Sequence, residues 1–531
     1  MKNGTETPYW LNWNKVRLHR LSADLLLAGV FLLTGGLYAM LMIRDRVPHL
    51  GLAVLAVLWL VHWVLKGRQV ITPLAFPIIG LLAFGVVSLI VTIDRELTLP
   101  KVYGIILGAV LFYIIIQYTN SRLRLHLALL VLVALALGMA GLGLVGTDWS
   151  STKVVDLPLV YDALPRLVEN VPRSGDGGIQ ANLVGGALAF LVPFLFSLLL
   201  DKGGFSLARV WDWVNGSRAL KIAYKVLLIF TLVVVLFTLL LTQSRGSLLG
   251  VLVGVLAVAI CHERRFLLAL PVLLLNGLLV RYFWGAESLM IFFTSMDARE
   301  GLTLPIRREF WARGLRLVQD FPITGTGIGT YSALVRVFYP FPSFSLGFSY
   351  SPSSMTHAHN QVLVIANDLG LPGLVLYMAL LGGFVAMMVR TWPYAGRLVK
   401  AVLAGLAGGM LAHQVFGIMD AFMLGSKLAA MFWIYLGLGA ALYIHRGHFG
   451  DQRQVPKQVS LGRWERLKAW LAVIFQGTVG WVGVSVLAVA FVHTNTVLSL
   501  VLAVIGGVAL GVLLLLLYEG TFYTKGKSLK I

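Results

Sequence analysis

Residues 303–338 read TLPIRREFWARGLRLVQDFPITGTGIGTYSALVRVF, and residues 354–373 read SMTHAHNQVLVIANDLGLPG. Between them lies a Pro/Ser/aromatic run, and on both sides the chain is strongly apolar. Arginines, a glycine-rich turn, aromatics and a His-Ala-His-Asn group are costly in lipid. Such a segment must lie at a membrane surface or line a cavity.

The bulk properties agree. Of 531 residues, 58% are hydrophobic and only 12% charged, with a mean hydropathy of +0.85; a soluble domain carries about 25% charged residues. The apolar runs extend for ~20 residues without alternation, which excludes a β-barrel and predicts an all-α polytopic membrane protein. About fourteen spans are expected, near residues 24–43, 48–65, 74–93, 102–118, 125–146, 180–200, 222–243, 246–260, 266–284, 359–389, 400–419, 427–445, 469–492 and 497–518. The tenth is too long for one straight helix, and Leu369-Gly370-Leu371-Pro372 is expected to break it.

The formal net charge of +20 is not a nucleic-acid signal here, because the cations first orient the bilayer. Loops rich in Lys and Arg alternate along the chain. Placing them in the cytoplasm puts both termini there: a tail 1–23 without a cleavable signal pattern, and a tail 519–531. The catalytic core would span 24–445. A basic linker, 446–468, would separate it from a final hairpin, 469–518, that reads as an appendage. The same assignment sends the long loop 285–358, the loop 147–178 and the tight turn TQSRG (242–246) to the outer face. Chemistry is therefore expected there. The single cysteine, Cys261, excludes an intrachain disulfide, and no CxxC or HExxH spacing points to a metal.

Each polar motif has a plain reading beside a functional one. Arg245 in TQSRG is either a snorkelling arginine or an inward-facing anion site. Pro305 opens a helical pattern carrying Arg307, Arg308 and Trp311, either an amphipathic helix on lipid phosphates or a site for a lipid phosphate substrate. Gly325-Thr326-Gly327-Ile328-Gly329 does not sit in a βαβ context, so a dinucleotide site is excluded. It reads as a tight turn whose N–H groups are open to an anion. His357 and His359 at i,i+2 could ligate a metal, cap a helix or supply a general base at neutral pH. Asp368 and Asp420 are acids that could orient such a base.

The order of these pieces resembles the O-antigen ligase and polymerase superfamily: TQSRG between two spans, RREFW…DFPITGTGIGTY in a long outer loop, then HAHNQVLVIANDLGLPG entering a span. IQANLVGGALAFLVPF (179–194), with Asn182, is similar to that family's asparagine-containing helix start. The resemblance covers roughly 180–445. It implies a GT-C-like, metal-independent glycosyltransferase with no cofactor, in the cytoplasmic membrane with its active site on the extracytoplasmic face. Its partners would be a glycan on undecaprenyl diphosphate as donor and a glycan, lipid A core or protein hydroxyl as acceptor. The resemblance further implies His359 as general base, with Arg245 and Arg307 stabilising the diphosphate. Arg308, Trp311, His357, Asn360, Asn182, Gly325, Gly327 and Gly329 would bind substrate. An O-linked protein oligosaccharyltransferase of the same superfamily is the nearest alternative. A lipid-linked glycan transporter, from another class, would place charges mid-span and show paired halves, which this chain lacks.

Overall fold

A computed structural model describes residues 24–37, 40, 47–66, 71–147, 179–201, 218–272, 275, 278–279, 282, 304–340, 356–449, 456, 459 and 461–523. The described residues form helices and no named strand, with one isolated bridge between Thr147 and Ile179. Nine helices among them are long and apolar enough to cross a membrane. Four shorter apolar helices, Asp24–Leu37, His49–His62, Ala75–Val91 and Ala430–Ile444, accompany these. The count of fourteen spans is thus met only in its class, a polytopic helical protein. The expected span 266–284 lies partly outside the described residues, as do all of 1–23 and 341–355 and most of 147–178.

In chain order the principal helices are α1 (Asp24–Leu37), α2 (His49–Lys66), α3 (Ala75–Val91), α4 (Arg95–Tyr118) and α5 (Arg122–Gly146). Then come α6 (Ala181–Leu200), α7 (Arg218–Thr242), α8 (Arg245–His262), α9 (Leu304–Asp320) and α10 (Tyr331–Phe338). The last five are α11 (Gln361–Thr391), α12 (Arg397–Phe416), α13 (Ala430–Ile444), α14 (Arg463–Ala490) and α15 (Thr496–Phe522). Helix α4 starts earlier than its apolar run predicts, because Asp94 caps it by accepting the N–H groups of Glu96 and Leu97.

Close packing follows from small residues, since lipid offers no hydrophobic drive between helices. Helices α6, α8 and α12 form one tight group: a methyl on Gly250 would lie 2.3 Å from the Ala412 carbonyl oxygen, and one on Gly254 would lie 2.5 Å from that of Gly408. A second group joins α11 to α3 and α15.

Two features differ from, or refine, the sequence reading. The final hairpin is docked instead of standing apart: α15 packs along α11, where methyls on Gly382 and Gly511 would lie 2.3 Å and 2.2 Å from carbonyl oxygens of the facing helix. The break in α11 falls at Gly370, with φ 70° and ψ 179°. The turn at 322–326 fills it. Leu371 N–H donates to the Pro322 carbonyl at 2.8 Å, and Thr326 N–H to the Asn367 carbonyl at 2.8 Å. Backbone groups freed by the break are thus satisfied inside protein, as membrane depth requires.

The candidate active site

The site begins with a short, strained turn. Among the described residues only Gln243 and His359 carry positive φ without being glycine, at 49° and 47°. Such backbone persists where the surroundings over-determine it, and it clusters at functional sites. One lies in TQSRG and the other in His-Ala-His-Asn. After His359, Asn360 caps α11 by accepting Leu363 N–H at 3.1 Å, while its Nδ2 donates to the Ile418 carbonyl at 3.1 Å. Both ends of Asn360, expected to bind substrate, are therefore occupied within the fold.

Asp420 stands opposite. It belongs to the loop between α12 and α13, and its Oδ1 accepts from His359 Nδ1 at 3.1 Å and from Ala421 N–H at 2.9 Å. His357 Nε2 is 3.7 Å from the same oxygen, beyond a hydrogen bond. All three side chains are buried. Burial pushes the Asp420 carboxyl up, but the His359 hydrogen bond, the two imidazoles and the Ala421 N–H outweigh it and hold it at about 2. Burial, His359 and Arg307 drive His357 down to about 3 against the pull of Asp420, so His357 is neutral at ordinary pH. With Nδ1 of His359 facing a carboxylate, its proton sits there, and Nε2 is left buried without a hydrogen-bond partner. That is the tautomer a general base needs, with the lone pair on a buried Nε2.

Helix α9 supplies one wall. Trp311 Nε1 reaches the His359 carbonyl at 3.5 Å, and the Phe310 ring stacks on His359 at 5.3 Å between centroids. Arg307, one turn earlier, is half-buried and near enough to His357 to depress its pKa, while Arg308 is exposed. Arg313 anchors the helix. It pairs with Glu309 at 2.5 Å and donates to the carbonyls of Tyr339 and Pro340 at 2.9 and 3.2 Å.

The glycine turn has another job than the one expected. The N–H groups of Gly325, Thr326, Ile328 and Gly329 donate to the Phe321 carbonyl, the Asn367 carbonyl, Ser88 Oγ and Asp368 Oδ1. Gly327 lies against Thr92, where a Cβ would come within 2.9 Å. These amides are committed within the turn and to α3 and α11, while Thr98 of α4 donates to the Ile328 carbonyl, so the glycine turn serves the scaffold. Asp368 likewise holds Gly329 and does not meet His359.

The Arg245 turn comes from the other side. Gly246 faces Met419 and Phe416, with Met419 Cβ 3.5 Å from the position of an added methyl, so the turn abuts the loop that carries Asp420. Helix α6 joins it. Gly185 lies against Thr242, Ser244 and Ser247, Gly186 lies against Phe416 and Phe422, and half-buried Asn182 shares their face at i+3 and i+4. Arg245 is half-buried at the start of α8.

His357, His359 and Asp420 also offer three ligand atoms within 4.8 Å of one another. The donor set suits a metal poorly as arranged. His359 N–H donates to His357 Nδ1 at 3.1 Å, which puts the proton of neutral His357 on Nε2, the atom a metal would need. Arg307 adds a positive charge beside it.

Of the residues singled out in the sequence, the structure gathers His357, His359, Trp311 and Arg307 about Asp420, which the sequence offered only as one of two acids, and it sets the Arg245 turn beside the same loop. Sequence reading missed Gln361 and the whole 417–423 loop. The sole available signal was a lone carboxylate, GIMDAFM (417–423), between two apolar runs.

Residues 230–378 match the O-antigen ligase family. The match takes in the Arg245 turn, α9, the glycine turn and His-Ala-His-Asn, and it ends before Asp420. No curated protein matches the chain.

Proposed function

We propose, from the match of residues 230–378 to the O-antigen ligase family, that this chain is a member of the O-antigen ligase and polymerase superfamily and transfers a glycan from a polyprenyl diphosphate to an acceptor hydroxyl. One observation carries this reading: the buried His359 imidazole is bonded to Asp420 through Nδ1 and has an unpartnered Nε2. In the reaction, the acceptor oxygen attacks the anomeric carbon while Nε2 takes the hydroxyl proton. The bond from that carbon to the diphosphate oxygen breaks, and its electron pair stays on the phosphate. Attack opposite the leaving group inverts the anomeric centre. Asp420 steadies the imidazolium through the Nδ1–H bond, the role a carboxylate plays behind a catalytic histidine.

Arg307 and Arg245 are assigned to the diphosphate. Guanidinium forks match phosphate oxygens, stay charged at every relevant pH, and meet the charge that develops as the bond breaks. This division of labour needs no divalent metal. Burial around Nε2 keeps bulk water from the base, which matters because hydrolysis of the donor is the competing reaction. Trp311 and Phe310 form the apolar side of the same wall. A GT-C-like arrangement belongs to the same proposal as what the family resemblance implies, and the placing of this end of the bundle outside the cytoplasmic membrane rests on the alternation of cationic loops.

The test is transfer by purified protein in lipid nanodiscs supplied with lipid-linked glycan. His359→Ala is expected to lower kcat by about 10²–10⁴-fold, and Arg245→Ala or Arg307→Ala by about 10²–10³-fold, each with unchanged elution as a folded particle. Wild-type rates in all three would sink the assignment. A chelator should leave the rate unchanged.

A further inference from the structure

Asp420 can serve His359 only if a loop with little secondary structure holds it in place. The loop is pinned from one residue. Gln361, the first residue of α11, is buried, and its carboxamide pairs with both backbone groups of Phe422: Nε2 donates to the Phe422 carbonyl at 3.0 Å, and Oε1 accepts the Phe422 N–H at 2.9 Å. Its own N–H donates to the Gly417 carbonyl at 2.7 Å. Asn360 adds the bond to the Ile418 carbonyl on the same side. Residues 417, 418 and 422 are thus fastened to the His-Ala-His-Asn end of α11, and Asp420 lies between the fastenings.

Phe422 is also fixed from below. Its ring stacks on His413 at 5.2 Å and meets Phe416 at 5.4 Å, so the carboxamide closes a short segment that is already anchored at its far end. Gln361 follows His359 by two residues, which makes base and anchor parts of one rigid turn. Any movement of the 417–422 loop relative to His359 must break these bonds.

We propose that Gln361 is a positioning residue for the reaction, setting the distance between Asp420 and His359 Nδ1 without touching substrate. This rests on the transfer chemistry proposed above. Gln361→Met removes both side-chain bonds at nearly constant volume. It should lower kcat by about 10- to 100-fold, the effect of misplacing a catalytic group by about 1 Å, with KM for the lipid-linked donor within about twofold of wild type.

A double-mutant cycle separates positioning from general weakening. Against an Asp420→Asn background, Gln361→Met should cost no more than about twofold in kcat, because the group it positions is already lost. Gln361→Glu gives a second readout. Ionised, the side chain turns a carboxylate toward the Phe422 carbonyl. Burial of this position raises the carboxyl's pKa toward neutral, and protonated it again donates and accepts as Gln does, so its kcat relative to wild type should rise as pH falls from about 8 to about 6.

His359→Ala is measured alongside. If it is inactive while the Gln361 and Asp420 effects multiply and the Glu variant shows no recovery at lower pH, the role of Gln361 is overturned and the transfer reading stands. If His359→Ala retains full rate, the transfer reading fails. Independence of kcat from Gln361→Met in a protein of unchanged thermal stability would also overturn the proposal.

Discussion

At the scale of residues, two neighbouring histidines divide into different chemical roles through their surroundings. His359 is paired with a carboxylate and presents Nε2; His357 accepts a backbone N–H and stays neutral. The pairing predicts that Asp420→Asn lowers kcat by about 10²-fold or more, because an amide can donate to Nδ1 and force the proton onto Nε2. Donor and acceptor KM should change little, and a coupled transfer assay measures both. The second prediction is a pH dependence of stability. His357 has a folded pKa of about 3 against an ordinary 6.5. Within that window the unfolded chain binds a proton that the folded protein refuses, so stability falls as pH drops from about 6.5, at up to about 1.4 kcal/mol per pH unit. His357→Gln should flatten that slope in thermal unfolding between about pH 6.5 and about pH 4.5. Asp420 acts with the same sign in a lower window, losing its stabilising contribution only as pH falls below about 4 toward its folded value of about 2.

At the scale of elements, the broken helix α11 organises the site. The Leu-Gly-Leu-Pro break was legible, because proline and glycine disrupt an apolar helix whatever surrounds them. What fills the break was not. A methyl on Gly370 would lie 2.3 Å from the Ile323 carbonyl oxygen, at a φ that side-chain-bearing residues avoid. Gly370→Ala is therefore expected to destabilise the protein by about 1–3 kcal/mol and to lower transfer, since the same turn carries α9 and Arg307. Thermal unfolding and kcat of the purified variant check both outcomes. The GTGIG pattern looked like an anion cradle because glycine amides suit one. Its partners, Ser88, Asn367 and Asp368, come from two other helices, and no spacing within the motif reveals them.

At the scale of the molecule, the final hairpin belongs to the structure that holds the site. Beyond the glycine contacts of α11 and α15, Gln319 of α9 donates to Thr496 Oγ1 at 2.6 Å, and Trp481 Nε1 donates to the Pro372 carbonyl at 3.0 Å. At the opposite end, Glu519 joins Arg390 at 3.3 Å and buried Arg446 at 3.4 Å, and Arg446 lies over the rings of Tyr443 and Tyr523. Gly511→Leu should force α11 and α15 apart and cost about 1–3 kcal/mol of overpacking strain. It should appear as lower thermal stability and a reduced yield of monodisperse protein. An unchanged melting profile would mean the hairpin is dispensable.

The sequence by itself determined the class of protein, the run of most helices, the break in α11, and which histidines and arginines stand in polar company at the ends of apolar runs. Those properties follow from transfer energies and helix geometry, which act over one turn to one span of chain. The tertiary structure alone decided that His359 is oriented by an acid 61 residues away, that Gln361 grips the loop bearing that acid, and that the glycine turn is scaffold. Hydrogen bonds and small-residue contacts between distant segments are specific in three dimensions and leave no period in one.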